Sequence, residues 1–462
     1  MTRWPARTAL VVAMFAYLTI ARTWGISETF WLFGDQIRDW RLALLPFSEL
    51  PLTGAPSSVG GVGLGPVYYW TLWVCRVAIG PWVNNLPHAG GIGLSVLQSA
   101  ADCVLLAGIW RKTGSGLMAL ALTLVVATAP YEMAITATIW NPPLSVVFVK
   151  LTLALLLLAP SRPSIRWAVA TTAIGWLAVQ AHATAIFIAA PAIAAFVIVE
   201  VAARNWKGAL QRALASIQVV LLLQVPYFLS LSQGSSGESF GPTAVIGQVS
   251  STAAAPATMR AVDAFAAVAS ATDFILLRPW YPGWTTVVLL MALATAAYRC
   301  RRDVLLASTS VLPLIAAIVG FAFWQRAYDH YWFLTLMPSV VLVLGSSLSV
   351  WPRAIPAVGA ALLAAVVVAQ PWRLAESQAM ARLPEYAALV RGSAEIYRYA
   401  PEVTDIRVEF PLDPTTDHQF LYTILGGRVT RDALFRASIA ADGGVTLSAP
   451  PPSDFRQGRR SR

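Results

Sequence analysis

Phe33-Gly34-Asp35-Gln36-Ile37-Arg38-Asp39-Trp40 follows the first long apolar run of the chain. The five residues from Asp35 to Asp39 include two carboxylates, an amide and a guanidinium. Placing such groups beside a lipid bilayer is costly unless they are paired or have a function. We therefore interpret this stretch as a functional site. Asp35 is its first candidate residue, and Asp39, one helical turn further on, is its second.

The sequence around this stretch is strongly apolar. The chain is 57% hydrophobic and 12% charged, whereas soluble domains carry about 25% charged residues. Apolar runs of roughly 17 to 25 residues, long enough to cross a hydrocarbon core about 30 Å thick, recur along it. The pattern predicts a polytopic α-helical membrane protein with about eleven transmembrane helices, over residues 8–24, 91–110, 115–131, 142–159, 166–180, 183–201, 213–231, 284–298, 304–323, 332–349 and 354–370.

The basic residues of the short loops predict the orientation, because Lys and Arg concentrate in cytoplasmic loops. If the N-terminus is cytoplasmic, every second connection carries Lys or Arg on the same side. The residues concerned are Arg3, Arg7, Arg111, Lys112, Arg162, Arg166, Arg204, Lys207, Arg212, Arg299, Arg301, Arg302 and Arg353. The first apolar run lacks a convincing cleavage site and is taken as a membrane helix.

This orientation predicts a multi-pass protein of the cell inner or plasma membrane, with a cytoplasmic N-terminus. The Asp35 stretch and the C-terminal region then lie on the outer face. Topology also explains the formal net charge of +10. The expected partner is therefore the lipid bilayer, and no nucleic acid is expected.

The first outer loop, residues 25–90, contains two further features. The aromatic run of residues 66–76 is short and rich in Tyr and Trp, which suits an interfacial helix better than a span. Before it, residues 51–66 are rich in glycine. They either present backbone amides to an anion or form a flexible surface loop.

Polar residues recur where later spans reach the outer face. Asn141 either binds a sugar hydroxyl or caps the helix that follows, and the neighbouring proline favours capping. His182 interrupts an apolar stretch, where a histidine is more often structural than a ligand. Arg326 and His330 share one loop and suit a phosphate, unless Asp329 simply neutralises Arg326.

The long outer loop of residues 232–283 fits either a lid over a substrate cavity or an ordinary connector. Near its end, Arg278 is a further candidate for phosphate or sugar contact. We divide the chain into a transmembrane domain of residues 1–370, a small extracytoplasmic α/β module of residues 371–448 and a disordered tail of residues 449–462.

Five motifs occur in order along the membrane region. They are Phe33-Gly34-Asp35-Gln36 with Arg38-Asp39, Pro56-Ser57-Ser58-Val59-Gly60-Gly61, Leu64-Gly65-Pro66-Val67-Tyr68-Tyr69, Ile139-Trp140-Asn141-Pro142 and His330-Tyr331-Trp332. This combination resembles the bacterial branch of the C-type glycosyltransferases. These enzymes are related to protein O-mannosyltransferases and to lipid A aminoarabinose transferases.

The resemblance implies a transmembrane catalytic domain that transfers a sugar, with inversion, from a polyprenyl-phosphate-linked donor on the outer face. Asp35 matches the family's acidic residue and is the expected general base, and its alternative roles are a helix N-cap and an ion pair with Arg38. Expected contacts to the donor phosphate or lipid come from Arg326, His330, Tyr68, Tyr69 and Arg278. Expected contacts to the sugar or acceptor, or support of the site, come from Gln36, Arg38, Asn141, His182 and Tyr331.

Protein mannosyltransferases usually carry an Asp-Glu pair where this chain has Asp35-Gln36. The acceptor is therefore left open between a lipid, a glycan and a protein. No cofactor is certain, and a divalent cation held by one carboxylate and the donor phosphate is compatible with the residues. The alternative function is a transporter or flippase of lipid-linked sugars. It is disfavoured because no internal repeat is visible and the polar residues gather on one face, with Asp102 and Lys150 as exceptions within the predicted spans.

Overall fold

The fold is taken from a computed structural model, of which we describe residues 3–56, 65–83, 86–232, 257–278, 285–323, 329–349, 352–411, 417 and 419–449. Arg326, most of the glycine-rich segment and the tail from residue 450 lie outside these ranges, so what the sequence predicts for them stays a prediction. The first half contains helices α1 (Arg3–Thr23), α2 (Ile26–Thr29), α3 (Gly34–Ala43), α4 (Val67–Ile79), α5 (His88–Thr113), α6 (Gly116–Ala127), α7 (Pro130–Thr136), α8 (Asn141–Leu158), α9 (Ile165–Ala181), α10 (Ile186–Ala202), α11 (Trp206–Leu223) and α12 (Val225–Ser232).

The second half continues the helical bundle and ends in short strands. Its helices are α13 (Ala257–Thr272), α14 (Thr285–Cys300), α15 (Val304–Thr309), α16 (Val311–Phe321), α17 (Met337–Leu348), α18 (Ile355–Ala381), α19 (Pro384–Tyr399) and α20 (Phe420–Ile424). A π-helical turn, Asp273–Leu277, follows α13, and a 3-10 helix, His330–Leu336, precedes α17. The strands are β1 (Glu402–Val403), β2 (Ile406–Val408), β3 (Arg428–Val429), β4 (Arg436–Ile439) and β5 (Val445–Ser448).

The strands form two small sheets in the C-terminal module. In one sheet, β1 pairs with β3 in parallel, with Glu402 opposite Arg428. In the other, β4 lies between β2, which is parallel to it, and β5, which is antiparallel. Ala437 and Ile439 of β4 are fully buried, and β4 packs against α19. The predicted small α/β module is therefore present.

All eleven predicted apolar segments fall on helices. Within the described ranges, five helices are long and apolar enough to cross a membrane: His88–Thr113, Asn141–Leu158, Ala183–Ala202, His330–Leu348 and Ile355–Ala381. The number rises to seven if each of two bent helix pairs counts as one span. A multi-pass membrane protein is thereby supported, while the count of eleven crossings stays a prediction.

Loops that the sequence predicts on one face meet at one end of the bundle. The amide of Asn141 at the start of α8 donates to the carbonyl of Ala181 at the end of α9 over 2.9 Å. At the other end, Lys112 pairs with Asp303 at 2.7 Å, which joins two of the predicted basic loops. We call the first of these ends the Asp35 end.

Two parts of the chain differ from the sequence prediction. Within the predicted loop of residues 232–283, residues 257–272 form the helix α13. Its residues Ala264 and Val268, one helical turn apart, are fully buried, and α13 packs against α14 and α16. The boundary predicted between residues 370 and 371 is not a break either, because α18 continues through Pro371 to Ala381 and packs against α7.

Besides the hydrophobic core of the main helical bundle, the chain has a second one. This second core joins the helices after α1 to the C-terminal module. It contains Ile37 and Trp40 of α3 together with Leu389 of α19 and Phe420 of α20. At its edge, the guanidinium of Arg41 lies 4.7 Å from the centre of the Phe420 ring. The same guanidinium forms an ion pair with the carboxylate of Asp417. Helix α3 and the module are therefore packed as one unit.

Four charged side chains are buried together between α1, α5, α7 and α8. Arg22 lies 2.6 Å from Asp102. Lys150 lies 2.8 Å from Asp102 and 2.5 Å from Glu132. All four side chains are 0% exposed. We call this set the buried charge cluster. Its two cations and two anions balance, and mutual pairing is what makes the burial of such charges tolerable.

We expect Lys150→Met to destabilise the protein by about 3–5 kcal/mol, because it leaves Asp102 and Glu132 buried with too little positive charge. Lys112→Met is the matched control. Its pair with Asp303 is partly exposed, and such pairs contribute about 0–1 kcal/mol. Denaturant unfolding of both variants in the same detergent measures the difference. Equal losses for the two lysines would contradict the role assigned to the buried charge cluster.

Candidate active site

Helix α3 contains the polar stretch from Asp35 to Asp39. The side-chain oxygen of Gln36 accepts a hydrogen bond from the backbone amide of Phe33 over 3.0 Å, which fixes the first turn. Asp35 lies in that turn, where the helix dipole favours a negative charge. Its side chain is 70% exposed, so Asp35 presents a carboxylate to solvent from a rigid helix.

Arg38 joins the two carboxylates of α3. One terminal nitrogen donates to Asp35 over 2.8 Å, and its Nε donates to Asp39 over 2.9 Å. The ion pair between Asp35 and Arg38 therefore forms. It orients the Asp35 carboxylate without burying it, since the Arg38 side chain is itself 36% exposed.

Asp39 is the buried carboxylate that Arg38 also binds. Besides Arg38, the hydroxyl of Tyr69 donates to its carboxylate over 3.1 Å. Burial raises the pKa of Asp39 to about 6, although Arg38 and Tyr69 both act to lower it. Asp39 therefore supports Arg38 and is not the carboxylate that meets solvent.

Tyr68 and Tyr69, which are expected to contact the donor phosphate or lipid, are buried inside the protein. Their side chains are 1% and 2% exposed, because α4 packs both rings into the second core. Tyr69 reaches the site through Asp39. The aromatic run of residues 66–76 does form a helix, and its tyrosines face inward.

A cavity of about 450 Å³ opens beside Asp35. Trp31 lines it from the segment before α3, Gln36 from the first turn of α3 and Tyr131 from α7. Met380, near the end of α18, closes another side. The lining is largely apolar and aromatic, with a few polar groups, as is usual in sites for organic ligands.

Aromatic contacts extend from this cavity to two of the predicted phosphate ligands. The ring of Tyr131 lies 5.0 Å from that of Phe274, and Phe274 stacks on His330 at 4.1 Å. The guanidinium of Arg278 lies 4.8 Å from the Phe274 ring. Arg278 also pairs with Glu376 at 3.1 Å. The structure thus brings Arg278 and His330 to one ring, Phe274.

Three other predicted site residues, Asn141, His182 and Tyr331, contact neighbouring parts of the protein. Asn141 is the first residue of α8 and does not cap it, so the interpretation of Asn141 as a cap is wrong. A ring nitrogen of His182 shares a hydrogen bond of 2.8 Å with Thr184, in agreement with the structural interpretation. Tyr331 lies between the rings of His182 and Trp140, at 5.9 and 4.8 Å, and so borders the cavity through Trp140.

Several residues at or near the cavity are not predicted from the sequence. Phe274 belongs to a π-helical turn inside the predicted loop, and such turns are frequent at functional sites but have no simple sequence signal. Met380 lies beyond the predicted end of the last span. The sequence Thr128-Ala129-Pro130 was a usable signal for the bend before Tyr131, because proline favours the first turn of a helix.

Among the described residues, no group of three or more His, Cys, Asp and Glu side chains is arranged to hold a metal ion. Asp35, which lines the cavity, and Asp39 are both paired with Arg38.

Solved structures with a similar fold include two states of one protein. The crystal structure of ArnT from Cupriavidus metallidurans bound to undecaprenyl phosphate aligns with a TM-score of 0.59 at 15% identity, over 91% of this chain and 85% of that one. The apo state of the same protein aligns with a TM-score of 0.54 at 15% identity, over 94% and 93%. The chain has the C-type glycosyltransferase fold.

The family resemblance predicted from the motifs is therefore confirmed for the fold. Neither the models of known protein families nor the curated protein sequences match this chain. On this C-type glycosyltransferase fold, the cavity and Asp35 lie where the membrane helices meet the C-terminal module.

The raised pKa of Asp39 predicts a pH dependence of stability. Since its folded-state pKa of about 6 lies above the unfolded value of 3.8, its contribution is fully present below pH 3.8 and is lost as pH rises through about 6. Thermal unfolding of the native chain and of Asp39→Asn between pH 4 and 8 checks this. The stability of the native chain relative to the variant should fall across that window, and a constant difference would contradict the assignment.

Proposed function

We propose that this protein transfers a sugar from a polyprenyl-phosphate-linked donor to an acceptor on the extracytoplasmic face of the membrane. The observation that carries the proposal is the exposed Asp35 carboxylate, held by Arg38 at 2.8 Å, at the mouth of an aromatic cavity. The shared fold with a structure that binds undecaprenyl phosphate supports the class of donor. The acceptor class stays open between a lipid, a glycan and a protein.

In the proposed reaction, Asp35 acts as the general base. It removes the proton from an acceptor hydroxyl or amine while the acceptor atom bonds to the anomeric carbon. The bond between that carbon and the phosphate oxygen breaks, and its electron pair leaves with the polyprenyl phosphate. A single displacement of this kind inverts the anomeric carbon. A positioned base of this type contributes about 10²–10⁴-fold to the rate.

The leaving phosphate gains negative charge, which positive groups and N–H donors stabilise. Arg278 and His330 flank Phe274, close to the cavity wall at Tyr131, and we assign them to the phosphate. Charge-assisted bonds from such groups strengthen in a partly dehydrated site. Arg326, from the same loop as His330, is a further proposed contact.

The proposed orientation follows from the eleven predicted spans and the basic loops. It puts the Asp35 end outside the cell inner or plasma membrane and leaves the N-terminus in the cytoplasm. The aromatic cavity then faces the side on which lipid-linked sugars are consumed. Gln36 supports the site from beneath, since its side chain is 4% exposed and bonded to Phe33.

A transporter of lipid-linked sugars is the second candidate. Two bent helix pairs favour it, because broken helices are common in transporters. α6 and α7 meet at 59°, and α11 and α12 meet at 46°. Only the transferase gives Asp35 a chemical role, so variants of Asp35 distinguish the two functions.

We expect Asp35→Asn to lower sugar transfer by about 10²–10⁴-fold, since the amide cannot accept the proton. Vesicles containing the native chain or the variant are supplied with a panel of radiolabelled polyprenyl-phosphate sugars, and label in endogenous acceptors is counted. Asp432→Asn, at an exposed carboxylate of the module, is the control and should retain full transfer.

Full transfer by well-folded Asp35→Asn would rule out Asp35 as the base. If the native chain transfers no sugar from any donor but moves donor lipid across the bilayer, the transporter replaces the transferase. Folding of each variant is checked by gel filtration in detergent.

A further inference from the structure

The bend between α6 and α7 interrupts a helix inside the bundle. α6 ends at Ala127 and α7 begins at Pro130, and the two helices meet at 59°. The last carbonyls of a helix have no partner within it, and Pro130 has no amide hydrogen to donate. Where water is excluded, such groups must be satisfied by the protein.

Each of the five backbone carbonyls from Leu124 to Thr128 accepts a hydrogen bond. The backbone amides of Thr128 and Ala129 donate to the carbonyls of Leu124 and Val126, over 3.0 and 3.1 Å. The remaining three carbonyls accept from two arginines of other helices, Arg22 and Arg373. These are the carbonyls of Val125, Ala127 and Thr128.

All three guanidinium nitrogens of Arg373, on α18, donate hydrogen bonds, two of them to the bend. Its Nη2 donates to the Val125 carbonyl over 2.8 Å, and its Nε donates to the Thr128 carbonyl over 3.0 Å. Its Nη1 donates to the carbonyl of Leu276 in the π-helical turn over 2.7 Å. The residue is 6% exposed. One side chain therefore joins the end of α6, the π-helical turn and α18.

Arg22 of α1 holds the same bend from another side. A terminal nitrogen donates to the Ala127 carbonyl over 2.8 Å and also to Asp102 over 2.6 Å. The buried charge cluster thus anchors the guanidinium that supports the bend. Glu132, on α7 just beyond the bend, belongs to the same cluster.

Helix α7, which begins directly after the carbonyls held by the two arginines, forms one wall of the cavity. Tyr131, Ala134 and Ile135 of α7 line it together with Asp35. Phe274 of the π-helical turn contacts Tyr131 from behind. We propose that Arg22 and Arg373 are positioning residues that hold the α6–α7 bend and thereby set the distance between this wall and Asp35.

The placement of the wall is tested first, without reference to catalysis. Ala134→Cys is introduced as a reporter, since Ala134 lines the cavity and is 5% exposed. The three native cysteines are buried, and their labelling is measured in the parent chain. Arg373→Lys is then introduced into this reporter chain. Lysine keeps the positive charge but lacks the planar guanidinium that reaches three carbonyls. The rate of labelling by a membrane-impermeant maleimide should rise at least threefold.

Arg382→Lys is the matched control, because Arg382 directly follows α18 and is 55% exposed. It should leave the labelling rate within twofold of the parent. An unchanged rate in Arg373→Lys would overturn the proposal. If Arg373→Lys does not yield a single species in gel filtration, Arg22→Lys is measured in its place, with the same expected rise and the same overturning result.

The second measurement rests on the proposed function. With an active donor, Arg373→Lys should lower kcat at least tenfold while KM for the donor stays within threefold, because the donor still binds but the reacting atoms are misaligned. A native kcat in folded Arg373→Lys would overturn the positioning role. If the native chain is inert with every donor, the proposed function fails, and the labelling comparison still decides the role of the arginines.

Discussion

Inside a bundle that excludes water, each backbone carbonyl and each charge must find its partner in the protein. The α6–α7 bend meets this requirement through Arg22 and Arg373, which complete the hydrogen bonding of a broken helix. The bend in turn directs α7 toward Asp35. The shape of the cavity therefore depends on groups that never line it, and a polar network deep in the bundle governs the geometry at its end.

The acidic helix α3 is stabilised by a different means. Its apolar face packs into the second core with residues of α19 and α20, while its polar face presents Asp35 to the cavity. Gln36 fixes the first turn, and Arg38 links an exposed carboxylate to a buried one. A reactive group on a rigid helix is placed more accurately than one on a loop. The exposed position of Asp35 is compatible with this because the rest of its helix is packed.

The sequence predicts the parts of this structure that depend on local composition. Apolar runs locate the helices, and Asp35 stands out because its polarity is unusual beside a membrane segment. Contacts between distant residues are not predictable in this way. Arg22 and Glu132 are 110 residues apart, so neither residue's neighbours indicate the ion pair. The local rule for helix caps fails at Asn141, whose amide donates to the carbonyl of Ala181 instead. Sequence patterns do not predict α13, because its alanines resemble those of a flexible connector.

The joint core of α3 and the module has a consequence for the order of assembly. Arg41 and its partner Asp417 are 376 residues apart in the chain. During synthesis, domains generally fold as units from the N-terminal end, but α3 acquires its last partners only after the whole membrane region has been made. The acidic helix thus leaves the ribosome long before the module that completes its native surroundings. A nascent or prematurely terminated chain would carry Asp35 without the packing that holds it in place.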